Sequence, residues 1–137
     1  MWVGRSLLPL RPRQRVIVGL GVDIESVSSF RRMRPEVFAR VVARVLTEEE
    51  RAYCLSRPDP YPHVAARFCA KEAFAKALGV ERPARVPFRD VEVVGRPPRL
   101  RARGVAAELL AAKGVKNVHV SLSHTSEYAV AVVVLEA

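Results

Sequence analysis

The sequence predicts a single α+β domain in which a small, mainly antiparallel sheet packs against helices. Strand-like runs of β-branched residues stand near both ends of the chain, and apolar residues recur at helical spacing between them. Half of the 137 residues are apolar and the mean hydropathy is +0.06. This composition supplies one hydrophobic core and argues against a disordered chain.

The first elements are a basic extension and a buried strand. Residues 1–15 contain four arginines and two prolines, and we expect a flexible extension there, with the domain occupying residues 16–137. Residues 16–22 predict a short strand, which places Asp23 directly after its end. Two glycines within this strand leave room for another element to approach the backbone.

Helical spacing dominates the middle of the chain. Apolar residues recur over 25–45, where Pro35 divides the segment into two pieces. Thr47 and Glu50 form a capping box that begins another helix. The strongest helix is predicted from about 63 to 78, with an alanine-rich stripe and a following glycine as its left-handed C-cap.

Alternating apolar residues and turn residues predict the elements in the second half of the chain. The predicted elements are a strand over 85–94, a turn over 95–98, an edge strand over 99–103, a helix over 104–113 and a hairpin of strands over 117–123 and 128–135.

The charge of the chain predicts an anionic partner. There are 23 basic and 14 acidic residues, a net charge of +9. Nucleic acid, a phosphorylated small molecule and an acidic protein all fit this charge. We expect no membrane partner, because no apolar run approaches the ~18 residues of a membrane-spanning helix. Cys54 and Cys69 form no CxxC pair and no Cys/His cluster, which excludes a zinc ribbon and a disulfide scaffold and fits a reducing cytoplasm.

The predicted central helix carries a glutamate and a lysine, and the end of the first predicted strand carries an aspartate. Glu72 and Lys76 lie four residues apart and therefore on one helix face, which taken alone is typical of a surface ion pair. The surrounding residues are mostly alanine and aromatic, so a buried carboxylate there would need a partner. Asp23 taken alone is typical of a helix cap, but it also lies where a strand ends and a cleft opens.

A third element carries groups suited to phosphate. His124 stands at the predicted hairpin tip between the hydroxyls of Ser123 and Thr125. Two carboxylates with water and phosphate oxygens can hold Mg²⁺, and Lys and His can neutralise the remaining phosphate charge. Together the three elements predict phosphoryl-type transfer from a substrate that contains a pyrophosphate.

Three stretches, residues 18–24, 68–79 and 120–129, resemble in order and spacing the signature stretches of the holo-acyl-carrier-protein synthase family. This is the short bacterial class of 4′-phosphopantetheinyl transferases. The likeness runs from about 16 to 135, and the turn over 95–98 is similar to the family's Gly-x-Pro turn.

The resemblance implies that the 4′-phosphopantetheine arm of coenzyme A is transferred to a serine of an apo acyl carrier protein, leaving adenosine 3′,5′-bisphosphate. By the family pattern Asp23 and Glu72 would hold Mg²⁺, and Glu72 would help to deprotonate the serine. Lys76 would stabilise the leaving phosphate, and His124 would complete the catalytic set. The residues expected to contact coenzyme A are Arg67, Lys71, Lys76, Ser123, His124 and Thr125.

The resemblance also implies a cytoplasmic homotrimer with sites between subunits. The family commonly places a basic residue about six positions after the aspartate, where this chain has Ser28 and Ser29. We expect Arg31, Arg32 and Arg34 to dock the carrier protein in its place.

The alternative function is a small basic nucleic-acid-binding module, which the net charge and the arginine-rich extension support. The sequence shows no helix-turn-helix or RNA-binding signature and no aromatic cluster beside a basic strand, so we expect no nucleic-acid partner. A non-catalytic relative with the same fold is a third possibility, and the complete set of charged site residues argues against it.

Overall fold

The computed structural model describes residues 14–80 and 86–137, which form five helices and five strands. In chain order the elements are β1 Ile17–Ser26, α1 Val27–Arg31, α2 Pro35–Val45, α3 Glu48–Leu55, α4 Pro60–Leu78, β2 Val91–Val94, β3 Arg99–Ala102, α5 Gly104–Ala112, β4 Asn117–His124 and β5 Tyr128–Glu136. A short 3₁₀ helix, Phe88–Asp90, precedes β2. The predicted α+β class is confirmed. Of the predicted basic extension, residues 1–15, the structure describes only the last two residues.

The larger sheet is antiparallel, with strand order β1-β5-β4, and β2 and β3 form a separate hairpin. Helix α4 packs very closely against β1. A Cβ atom at Gly19 would overlap the carbonyl oxygen of Ala77, and a Cβ atom at Gly21 would overlap that of Ala73. The two glycines therefore leave room for a helix, as the sequence predicts for some second element.

The core lies between α4 and the inner face of the larger sheet. Small and aromatic residues of α4, such as Ala73 and Phe74, are buried together with Val133 and Leu135 of β5. The opposite face of the sheet is apolar and open, since the side chains of Leu20, Val22 and Ile24 are 54–66% exposed.

Local capping signals are confirmed. The hydroxyl of Thr47 accepts the Glu50 N–H while the Glu50 carboxylate accepts the Thr47 N–H, which begins α3. Pro35 begins α2, and Gly79 ends α4 with a φ of +75°. No helix in the described ranges has the length and apolar content needed to cross a membrane.

Three predicted boundaries are wrong. Strand β1 continues to Ser26, which pairs with Tyr128, so Asp23 lies inside the strand rather than after it. Helix α4 begins earlier, at Pro60, because Asp59 caps it and a proline in the first turn loses no hydrogen bond. The strand predicted over 85–94 is limited to Val91–Val94, since the residues just before it form the 3₁₀ helix; residues 81–85 lie outside the described part of the chain.

Candidate active site

Asp23 and Lys76 meet where β1 packs against α4. Alternation along the strand turns Asp23 toward the helix, and its side chain is 11% exposed. The Lys76 ammonium donates to Oδ1 of Asp23 at 3.2 Å and to the carbonyl oxygen of Val22 at 3.1 Å. Glu72 lies one turn earlier on the same helix and is half-buried. The structure thus brings the two predicted carboxylates and the predicted lysine to one junction.

Three carboxyl groups lie close together at this junction. Oδ2 of Asp23 is buried and has no hydrogen-bond partner among the described residues. Glu25, two residues further along β1, faces the same side of the sheet. Burial, together with the nearby carboxylates of Asp23 and Glu72, raises the pKa of Glu25 to about 8, against the opposing effect of Lys76. The junction therefore holds a buried carboxylate oxygen, Oδ2 of Asp23, that accepts no hydrogen bond from a described residue.

These residues fit a divalent cation whose coordination is completed by the substrate. No group of three or more His, Cys, Asp or Glu side chains in the described ranges forms a ready-made metal centre. Mg²⁺ commonly takes one or two carboxylates and fills its remaining positions with water and phosphate oxygens. The unbonded Oδ2 of Asp23, with Glu72 beside it, matches that pattern.

A second group of charges surrounds the ring of Tyr53 on α3. The guanidinium carbons of Arg67 and Arg57 lie 4.7 and 5.4 Å from the ring centroid, and Arg96 donates to the phenolic oxygen at 3.3 Å. Nε of Arg67 is buried with no hydrogen-bond partner in the described part of the chain. Several cationic donors therefore converge on one place.

Two histidines extend this group. The ring of His63 contacts Tyr53 edge-on at 5.7 Å and lies 5.5 Å from the ring of His124 at the end of β4. We refer to the whole set as the cationic cluster: Tyr53, Arg57, His63, Arg67, Arg96 and His124.

The cationic cluster borders a cavity of about 340 Å³. Tyr53, Arg67 and the turn at Gly95 and Arg96 contribute to its wall. This volume lies within the range of small-molecule sites. A larger cavity of about 570 Å³ adjoins the β2–β3 hairpin, and both cavities are lined by arginines together with acidic residues such as Glu49 and Glu92.

Lys71 requires a correction. It was expected near coenzyme A, but its side chain is fully buried, and its ammonium donates to Oε1 of Glu50 and to the carbonyl oxygen of Val45, both at 2.6 Å. Oε2 of Glu50 accepts the Val93 N–H at 2.7 Å. Burial lowers the pKa of Lys71 while Glu50 opposes that effect. The pair joins α2, α3, α4 and β2, which is a structural role.

The other predicted contacts lie at the end of β4 and at the first residue of the turn that follows it. Ser123 and Thr125 are exposed beside His124. The Thr125 hydroxyl accepts the N–H groups of Glu127 and Tyr128 at 3.1 and 3.0 Å, so it also shapes the turn.

The arginines predicted to dock a carrier protein follow β1, near Asp23. Arg31 forms a two-pronged ion pair with Asp59, with distances of 3.1 and 3.0 Å. Arg34 lies 3.5 Å from Glu36, and Arg32 donates to the hydroxyl of Ser28. All three arginines therefore hold partners within the chain.

Sequence reasoning missed Glu25 and most of the cationic cluster. Glu25 was detectable in principle, because it stands two positions after Asp23 and a strand repeats its face every second residue. His63 was also detectable in principle, because it precedes Arg67 by four residues on one helix. Tyr53 and Arg57 likewise lie four residues apart at the end of α3, whereas Arg96 comes from the distant turn after β2.

Comparisons with known proteins identify relatives over most of the chain. The family model of the 4′-phosphopantetheinyl transferase superfamily matches residues 19–133. A holo-[acyl-carrier-protein] synthase from Syntrophotalea carbinolica is 42% identical over 121 residues, which cover 86% of this chain and 94% of that protein.

Solved structures show the same likeness. The holo-[acyl-carrier-protein] synthase of Neisseria meningitidis has a TM-score of 0.80 at 30% identity, covering 89% of this chain and 100% of that one. A relative from Bacillus anthracis, solved in complex with CoA (3′,5′-ADP), has a TM-score of 0.72 at 35% identity, covering 88% and 97%. The chain therefore belongs to the 4′-phosphopantetheinyl transferase superfamily, in which the relatives it matches are holo-[acyl-carrier-protein] synthases.

Proposed function

We propose that this protein transfers the 4′-phosphopantetheine group of coenzyme A to a serine of an apo acyl carrier protein, with Mg²⁺, and releases adenosine 3′,5′-bisphosphate. The observation that carries the proposal is the junction of Asp23, Glu72 and Lys76, where the Lys76 ammonium donates to Asp23 and Oδ2 of Asp23 has no hydrogen-bond partner among the described residues. The Bacillus anthracis relative in complex with CoA supports the choice of substrate.

Asp23 and Glu72 would hold the metal ion. Bound there, Mg²⁺ would offset the negative charge of the pyrophosphate and make its phosphorus more electrophilic. The reason for assigning it to this place is the buried Oδ2 of Asp23, which accepts no hydrogen bond from a described residue, together with the nearby Glu72.

The chain's own residues position the reactants and move one proton. The serine oxygen forms a bond to the phosphorus that carries the pantetheine arm, and the bond from that phosphorus to adenosine bisphosphate breaks. Glu72 accepts the serine proton, directly or through water. The half-exposed Lys76 ammonium faces the bisphosphate that departs and stabilises its charge.

The cationic cluster would hold the nucleotide end of coenzyme A. Arg67 and His124, with the hydroxyls of Ser123 and Thr125, supply donors for its phosphates, and the adjoining cavity has room for a nucleotide base. The unpartnered Nε of Arg67 is a donor that such a ligand would satisfy.

The carrier protein would dock on α1 and α2. Beside Arg31, Arg32 and Arg34, helix α2 offers an apolar groove of about 530 Å³ formed by valines and an alanine between Arg40 and Arg44. An apolar floor between guanidinium groups fits a helix with acidic edges, and carrier proteins are acidic.

The open face of the larger sheet would be covered by other copies of the chain. Leu20, Val22 and Ile24 form an exposed apolar stripe on β1, and such a surface on a small protein marks an interface. The resemblance to the family implies that this assembly is a homotrimer.

The direct test is conversion of apo carrier protein. The full chain is mixed with apo acyl carrier protein, coenzyme A and Mg²⁺, and the carrier is examined by intact mass spectrometry. We expect a gain of one phosphopantetheine group on its serine. Glu72→Gln should abolish the gain, whereas Glu108→Gln, which changes an exposed acid on α5, should not.

A further inference from the structure

His63 is a titratable member of the cationic cluster to which the proposed reaction gives no role. It lies in the first turn of α4, where its ring contacts Tyr53 and stands 5.5 Å from the ring of His124. Its backbone carbonyl accepts a hydrogen bond from Arg67 at 3.4 Å. Two imidazoles from distant parts of the chain thus share one small region with several arginines.

The charges that face His63 come from each neighbouring element. Arg67 stands on α4, His124 on β4, Tyr53 on α3, and Arg57 and Asp59 in the loop before α4. The Asp59 carboxylate is already bound to Arg31 through both of its oxygens.

In the free protein this environment disfavours a second positive charge. Burial, followed by His124, Arg67 and Arg57, lowers the pKa of His63, and Asp59 acts weakly in the opposite direction. His63 is therefore mostly neutral near pH 7 when the cavity holds no ligand.

A phosphate group would reverse this balance. Its two negative charges favour protonated imidazole, and a charged imidazole makes a stronger hydrogen bond to phosphate oxygen than a neutral one. The oxygens of one phosphate point in several directions, so a single group can contact two rings at this separation. The buried, unpartnered Nε of Arg67 supplies another donor in the same region.

We propose that His63 acts with His124 as a ligand for a phosphate of coenzyme A, and that His63 takes up a proton when the nucleotide binds. The inference rests on the proposed function, because it requires coenzyme A in the cavity beside Tyr53. It adds a ligand and makes nucleotide affinity depend on pH between about 6 and 8.

The test is titration calorimetry of coenzyme A into the full chain with Mg²⁺ and no carrier protein. Titrations in two buffers of different ionisation enthalpy give the number of protons taken up. We compare wild type with His63→Gln and with His119→Gln, a control on an exposed histidine of β4 that contacts Glu136.

At pH 6.5 we expect His63→Gln to bind coenzyme A about tenfold more weakly than wild type and to take up fewer protons. The affinity difference should shrink by pH 8.5, where wild-type His63 has little charge. His119→Gln should match wild type. Coenzyme A is the ligand in each of these titrations. Protons released by its own phosphates therefore contribute equally to wild type and variants and cancel when the proteins are compared.

A second variant separates binding from packing. His63→Phe keeps a ring against Tyr53 but has no nitrogen, so it should bind like His63→Gln at an unchanged melting temperature. Repeating the titrations with dephospho-coenzyme A, which lacks the 3′-phosphate, shows which phosphate is bound: a persisting difference between wild type and His63→Gln assigns the pyrophosphate, and a lost difference assigns the 3′-phosphate.

The two proposals fail in different ways. If wild type does not bind coenzyme A, the proposed function is wrong. If wild type binds it but His63→Gln shows the same affinity and proton uptake at pH 6.5, the proposed role of His63 is wrong and the proposed function stands.

Discussion

The Lys76 ammonium donates to Oδ1 of Asp23 at 3.2 Å, across the interface between β1 and α4. Because the lysine is 55% exposed and the aspartate only 11%, the lysine can turn toward a phosphate while the carboxylate stays in place. One ion pair thus joins the residue proposed for the leaving phosphate to a residue proposed for the metal ion.

Removing that ammonium should lower turnover more than substrate affinity. We expect Lys76→Ala to reduce kcat by about 10²-fold, since a preorganised charge at the departing phosphate is lost. Steady-state kinetics with saturating coenzyme A measures the effect, with Lys113→Ala on the far end of α5 as control. Equal kcat values for Lys76→Ala and the control would place the site elsewhere.

Carrier-protein recognition should depend on charge at α1 and α2. Arg32→Glu and Arg40→Glu should each raise KM for the carrier protein and leave KM for coenzyme A nearly unchanged. Raising salt to about 0.5 M should weaken carrier use by wild type more than by either variant, because screening removes the attraction. Kinetics at two salt concentrations measures this, and a defect in coenzyme A use would contradict the docking surface.

The buried ion pair of Glu50 and Lys71 should matter for stability. Lys71→Met leaves a buried carboxylate without its cation, which costs about 3–5 kcal/mol of unfolding free energy. Adding Glu50→Gln should recover part of that loss. Urea unfolding of wild type and the two variants tests the pair: if Lys71→Met unfolds at the wild-type midpoint, the ammonium is not buried as described.

Assembly should depend on the open face of the larger sheet. Leu20→Lys places a charge at a side chain that is 66% exposed and should convert the proposed trimer to smaller species in analytical ultracentrifugation. Leu55→Lys, at an exposed apolar position on α3, should leave the mass unchanged. A trimer that survives Leu20→Lys would exclude this face as the interface.

Local features of the fold were predictable because they depend on neighbouring residues. Thr47 and Glu50 form their capping box within one turn, and Gly79 ends its helix by its own conformation. The end of β1 was not predictable in this way, since pairing with Tyr128 of β5 carries the strand past Asp23.

The same distinction between local and long-range contacts applies to the candidate active site. Asp23, Glu72 and Lys76 stand in family-like stretches, and the structure brings them together. Lys71 stands in the same stretch, but its partner Glu50 is 21 residues away, and that contact buries it. The cationic cluster joins α3, α4, β4 and the turn after β2, so only the fold reveals it.

The most direct test of the central claim follows apo carrier protein by intact mass with coenzyme A, first with Mg²⁺, then with excess EDTA, then with Mg²⁺ restored. Our account predicts that one phosphopantetheine group is added, that EDTA stops the addition, and that restored Mg²⁺ recovers it for wild type but not for Asp23→Asn. A carrier protein whose mass never changes, or one modified equally well in EDTA, would contradict the account.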